Sequence, residues 1–138
     1  VGGQGSAADI IGVLNGIFYN DASTLKPTFA NFYKATITPA NSEDTTAFVI
    51  DDPFQLYVVA ADAATGVATF LETYDMNTTS GDDTTGKSDA TLDIGTTSQD
   101  GKQFRMLRSA EDPENEDATA VRHSVIVVSN LNSFNGHN

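Results

Sequence analysis

The chain has 138 residues and no cysteine, and its 19 acidic and 7 basic side chains give a formal net charge of -12 at pH 7. This length is typical of one domain, while the charge argues against binding to nucleic acid or an anionic membrane, because both require clustered lysine and arginine. The same charge suits a partner with a basic surface, and no stretch approaches the roughly twenty apolar residues of a membrane-spanning helix.

The two ends of the chain are expected to be flexible. Residues 1–8 are rich in glycine and residues 131–138 are polar, which predicts one β-rich domain over residues 9–130 between two flexible segments. Its first segment, residues 9–19, fits either an amphipathic helix or a strand. We favour a strand because Gly12 and Gly16 would each destabilise a helix by about 1 kcal/mol, and in a strand they permit a bulge or a close backbone approach.

The next segment carries three aromatic side chains close together, Phe29, Phe32 and Tyr33. Two interpretations are open for them. They could pack in the core beneath a loop, which we favour, or form an exposed anchor that contacts a partner protein. Residues 36–38 are a candidate short strand.

Two apolar runs at residues 47–60 are separated by Asp51, Asp52 and Pro53. The second run alternates with a period of two, which predicts a strand with at least one buried face. A helix cannot continue through Pro53, because proline has no N–H and disfavours helical geometry at the preceding residue. We therefore predict two strands joined by a structural turn, in which the two aspartates form the turn rather than a ligand site.

The second half of the chain alternates short apolar runs with polar loops. Residues 67–74 have apolar side chains at helical spacing, which predicts one short helix. Polar loops are predicted at residues 77–88 and 111–117, and strands at residues 90–94, 103–108 and 122–128. The fold class expected is mainly β: a single-domain antiparallel β-sandwich or barrel with long acidic loops and at most one short helix.

No pattern of reactive residues predicts catalysis, a cofactor or a metal. An EF-hand register that starts at Asp75 fails, because Ser80 lies where glycine is required and Gly86 where glutamate is required. The acidic loops could still bind a cation irregularly, but solvated surface is the favoured interpretation. His123 and His137 are the only imidazoles, and Ser124 would point to the opposite face of a strand from His123. His123 is expected to be a half-buried or packed strand residue.

Several short phrases occur in a fixed order along the chain: Gly12-Val13, Gly16 with Tyr19 and Asp21, Phe29 with Tyr33, residues 47–57, Gly86-Lys87-Ser88 before residues 90–93, and residues 107–115 before a final apolar strand. In this order and spacing, the chain resembles small virion proteins of tailed bacteriophages that are usually encoded beside the major capsid protein and are regarded as capsid decoration or cement proteins. Family members begin with a further N-terminal segment, which leaves open whether a strand is missing here and is supplied by a neighbour.

The resemblance implies a non-enzymatic protein on the outer capsid surface of the virion. Its partner would be the major capsid protein, and the chain would form a homo-oligomer, with a trimer favoured. The implied role is to bridge neighbouring capsid subunits, with Phe29, Phe32 and Tyr33 as candidate contacts. Two alternatives are another virion component, such as a tail or adaptor protein, and a secreted adhesive β module that binds calcium or carbohydrate.

Overall fold

The structure, a computed structural model, describes residues 10–34, 36–77, 81–82, 84–96, 101–115, 117–120 and 122–130. The predicted flexible segments, residues 1–8 and 131–138, lie outside this set. Within it, short 3₁₀ turns occur at Ser42–Asp44, Val67–Thr69 and Ile94–Thr96, and there is no α-helix. The strands of the described residues are β1 Val13–Asn20, β2 Pro27–Ala30, β3 Thr46–Ile50, β4 Leu56–Ala60, β5 Thr73–Tyr74, β6 Met76–Asn77, β7 Thr91–Leu92, β8 Phe104–Ser109 and β9 Ser124–Ser129.

The strands form an antiparallel β-sandwich, which confirms the expected fold class. One sheet has the order β2-β1-β3 and the other has the order β4-β9-β8-β5, while β6 and β7 form a short ribbon. Every pair of these strands is antiparallel. A short parallel bridge between Ala61 and Leu92 joins the ribbon to the end of β4.

The main core lies on the inner face of the four-stranded sheet. His123, Val125 and Val127 alternate along the central strand and are fully buried, as the period of two in this segment predicts. Ile10, from the segment before β1, packs into the same core and thereby joins the two sheets. The remaining buried members of this core are Tyr74, Leu92, Phe104 and Met106.

Strand β1 contains a bulge beside Gly16, as the glycines of this segment permit. The register against β3 shifts between Leu14 and Gly16, so that Asn15 is the extra residue. A Cβ at Gly12 would collide with the backbone carbonyl of Ile50, which explains why the chain needs glycine at this close approach. The strand prediction for this segment is confirmed.

The two apolar runs at residues 47–60 become β3 and β4, which belong to different sheets. At the crossing, Asp52 Oδ1 accepts a hydrogen bond from the Phe54 amide at 2.9 Å, and Asp52 O accepts one from the Gln55 amide at 3.1 Å. Tyr57 and Val59 pack against the core. Leu56 and Val58, which alternate with them, are exposed, so the buried face is the less apolar of the two.

Three local predictions are wrong. The helix expected at residues 67–74 is a 3₁₀ turn followed by β5, because Leu71 adopts a positive φ of 67° and β5 pairs with β8. No strand forms at residues 36–38. The nearest β-type pairing is an isolated bridge between the next residue, Pro39, and Asp21. The third error is an omission, since strands β2 and β6 were not expected.

Candidate functional site

The outer face of the three-stranded sheet exposes a cluster of phenylalanine side chains. Phe18 on β1 lies directly opposite Phe29 on β2, and Phe48 on β3 lies opposite Gly16. Their exposed fractions are 36%, 63% and 45% respectively. We call Phe18, Phe29 and Phe48 the aromatic face.

A glycine in the central strand makes this cluster possible. With no Cβ at Gly16, the ring of Phe29 lies across β1, where a Cβ would come within 2.8 Å of Phe29 Cζ. The ring thereby approaches Phe48, with a centroid separation of 5.8 Å and an interplanar angle of 46°. Tilted pairs at such a distance are favourable beyond their buried area, so the rings of Phe29 and Phe48 stabilise each other's position on the surface.

The opposite face of the same sheet is buried. Ile17 and Tyr19, which alternate with the outward-facing Phe18, are 2% and 8% exposed. The alternation therefore identifies the aromatic face as the outer surface of the sandwich and not a gap in its core.

The three aromatic residues singled out from the sequence lie in different environments. Phe29 belongs to the aromatic face, and Tyr33 is 56% exposed, so core packing is wrong for both. Phe32 is half-buried and packs on Gly86, where a Cβ would collide with its ring. The ammonium of Lys34 lies 5.6 Å from the centroid of the Phe32 ring. Phe18 and Phe48 were not predicted as members of the site.

A second apolar surface lies on β4 and the turn before it. Phe54, Leu56 and Val58 are 77%, 51% and 68% exposed. Leu56 and Val58 share the outer face of the four-stranded sheet, since their neighbours Tyr57 and Val59 face the core. Patches of apolar side chains that are exposed to solvent are typical of contact surfaces.

The acidic loops are organised by their own side chains. Ser23 Oγ donates to Asp21 Oδ1 at 2.5 Å and the Thr24 amide donates to the same oxygen at 2.9 Å, which holds the pKa of the Asp21 carboxyl below its ordinary value. The Thr84 amide and the Thr85 hydroxyl lower the pKa of Asp82 in the same way. These carboxylates therefore stay charged and fix the turns in which they lie.

Buried polar side chains are held in place by hydrogen bonds and an ion pair with other residues of the chain. The Asn115 carbonyl accepts a hydrogen bond from His123 Nδ1 at 3.0 Å, and His123 is fully buried, as expected for a packed residue. Lys102 Nζ donates to Asp75 Oδ2 at 2.8 Å across the end of the ribbon. No group of three or more histidine, aspartate or glutamate side chains is arranged to hold a metal among the described residues.

Comparison with protein families, curated proteins and solved structures finds no significant match to this chain. Within the described part of the chain, no helix has the length and apolar character needed to cross a membrane.

Proposed function

We propose that this chain is a non-enzymatic structural protein of a bacteriophage virion. It decorates the outer surface of the capsid and reinforces it by bridging neighbouring major capsid subunits, and it acts as a homo-oligomer, with a trimer favoured. The proposal rests on the resemblance carried by the order of phrases along the sequence. The structural observation that supports it is the aromatic face, an exposed apolar surface on a β-sandwich.

The aromatic face has the properties of a protein-binding surface. Phenylalanine supplies a large contact area for little loss of side-chain entropy, and the contact between Phe29 and Phe48 limits that loss further. Tyr33 adds a further exposed aromatic side chain in the segment that follows β2. Each such contact is weak alone, but repetition over many copies on a shell multiplies the effect through avidity.

The charge of the chain supports a place on the shell exterior. With a formal net charge of -12, the protein is repelled by packaged nucleic acid and attracted to basic surfaces of a partner. The same net negative charge on every copy also discourages non-specific aggregation of the free protein.

The test is binding to expanded shells assembled from the major capsid protein of the phage that encodes this chain. We expect saturable binding that Phe29→Ser weakens, because that substitution removes the most exposed ring of the aromatic face. Leu71→Asn is the matched control, since Leu71 is also 63% exposed but lies outside this face, and asparagine tolerates its positive φ. Equal binding of both variants would remove the aromatic face from the proposal, and no binding of the unmodified chain would remove the capsid role.

A further inference from the structure

The edge of β4 is open at its middle, since the outward-facing Leu56 carbonyl near its start already accepts a hydrogen bond from Gln55 Nε2 at 2.9 Å. The Ala61 amide donates to His123 O at 2.8 Å, so the odd-numbered residues of this strand direct their backbone groups to β9. The even-numbered residues direct theirs to the opposite side, where the Asp62 amide donates to Leu92 O at 3.0 Å. The ribbon thus covers only the end of the edge. Upstream, the backbone N–H and C=O of Val58 have no partner among the described residues.

A cavity of about 530 Å³ lies beside this open edge. Its lining includes residues of β4 and of the segment that leads into β1, so it forms a notch between the two sheets. Most of its surface is apolar, with contributions from Ile10, Leu14, Tyr57, Val59, Met76 and Phe104. This volume is in the range of ligand sites and can receive several aliphatic side chains.

These two features match the requirements of an added strand. A strand that pairs with β4 would form main-chain hydrogen bonds at Val58, and its side chains would alternate between two environments. One set would enter the notch, and the other would lie beside Leu56 and Val58 on the outer face. The three-stranded sheet also has two edge strands, β2 and β3. Residues of β4 line the notch, whereas no described residue of β2 or β3 does so.

Charge identifies the kind of segment that fits. Asp51 and Asp52 are exposed in the turn that precedes β4. Asp62 follows the strand, and its Oδ1 accepts a hydrogen bond from the Ile94 amide at 2.9 Å, which fixes this carboxylate beside the end of β4. Antiparallel pairing of β4 with a second copy would bring Asp52 of one copy toward Asp62 of the other, and like charges close to each other are destabilising. A segment with basic residues at its ends would instead be attracted at both ends of the strand.

We infer that the open edge of β4 binds an extended segment of a different protein, with apolar residues at alternate positions and lysine or arginine at its ends. The inference concerns the mode of recognition and does not depend on the partner being a capsid subunit. It assigns the exposed Leu56 and Val58 to a contact that is distinct from the aromatic face.

The test uses a synthetic peptide in which valine and threonine alternate over about seven residues, enough to span β4 at roughly 3.3 Å per residue, with a pair of lysines at each end. Amide hydrogen exchange is followed by NMR in the unmodified chain. We expect the Val58 amide to exchange fast in the free protein and slowly in the complex, while the Tyr57 and Val59 amides are protected in both. The same peptide with glutamate at its ends should bind more weakly.

Two variants test the main-chain contact. Val58→Pro removes the outward N–H, and proline is tolerated on an edge strand where that N–H faces solvent, so we expect the peptide affinity to fall about tenfold. Val58→Thr keeps the N–H and should retain binding. If Val58→Pro does not fold, the exchange experiment on the unmodified chain still decides.

The inference is overturned if the peptide does not bind saturably, if binding leaves Val58 unprotected, or if protection appears at β2 or β3 instead. These outcomes are separable from the proposed function. Shell binding without peptide binding would remove only the edge inference, whereas peptide binding without shell binding would remove only the capsid role.

Discussion

The ring of Phe29 lies over Gly16, in the space that the Cβ of any other residue would occupy; Cζ would be 2.8 Å from that position. One glycine in β1 therefore determines where an exposed ring on β2 lies. The same ring covers the backbone of the glycine and offers an exposed surface to partners. This relationship leads to the first prediction.

Gly16→Ala should displace the Phe29 ring and lower the free energy of unfolding by about 2 kcal/mol, because the added methyl group overpacks a fixed contact. In a Phe29→Ala background the same substitution should destabilise the fold less, since the ring is gone and the remaining close contact of the Cβ is with the Ala30 carbonyl oxygen at 3.1 Å. Urea denaturation of the four proteins in this cycle measures the difference. Additive effects of the two substitutions would show that the ring and the glycine are not coupled.

Lys102→Met should destabilise the fold by about 3 kcal/mol, because it leaves the carboxylate of Asp75 buried without its cation. The two side chains are 20% and 9% exposed and are joined at 2.8 Å. The double variant Lys102→Met, Asp75→Leu should recover part of the loss, since it removes the unpaired charge as well. Thermal unfolding gives the comparison, and a double variant less stable than Lys102→Met would contradict this interpretation.

The half-buried Tyr57 should ionise above the ordinary pKa of a tyrosine. Burial, followed by the negative charges of Asp52 and Asp51, raises the pKa of its phenol above the ordinary value of 10.0. Stability from the neutral phenol is therefore present below pH 10 and is lost as the pH rises through the folded pKa. Asp52→Asn should lower this pKa, while the asparagine oxygen can still accept from the Phe54 amide. Tyrosinate absorbance, with Tyr57→Phe as the reference, measures the shift; an unchanged pKa in Asp52→Asn would exclude the charge effect.

The Asp21 turn should lose stability in acid. Hydrogen bonds from the Ser23 side chain and then from the Thr24 amide lower the pKa of Asp21 from 3.8. The stabilisation is present above that value and is lost as the pH falls through the lower folded pKa. Ser23→Ala should raise the pKa of the Asp21 carboxyl toward its ordinary value. Thr84→Ala, in the turn at Asp82, is the control and should leave the pKa of Asp21 unchanged. Carboxyl chemical shifts followed through the titration report both effects.

Alternation and turn chemistry made the strands around Pro53 and His123 predictable from the sequence. Residues 125–128 are all apolar, as expected for β9, which is one of the two inner strands of its sheet. The proline with its two aspartates marked the point where the chain leaves one sheet for the other. Both patterns involve only residues that are close together in the chain, so they can be recognised without knowledge of the tertiary structure.

The failures have a common physical cause, which is that tertiary pairing overrides local spacing. Residues 67–74 have helical spacing, yet Thr73 and Tyr74 gain more from pairing with β8. The aromatic face depends on β1 lying between β2 and β3, so that Phe48, far along the chain, comes to lie beside Phe29. Similarly, the alternation in β4 did not reveal which of its two apolar faces would be buried.

The most direct measurement of the central claim is the amount of this chain in purified virions, compared with that of the major capsid protein by gel densitometry. A decoration protein should be present at a copy number close to that of the major capsid protein, and removing it should make expanded shells less stable. A small fraction of that number would indicate a tail or adaptor component instead. Absence of the chain from purified particles would contradict the account.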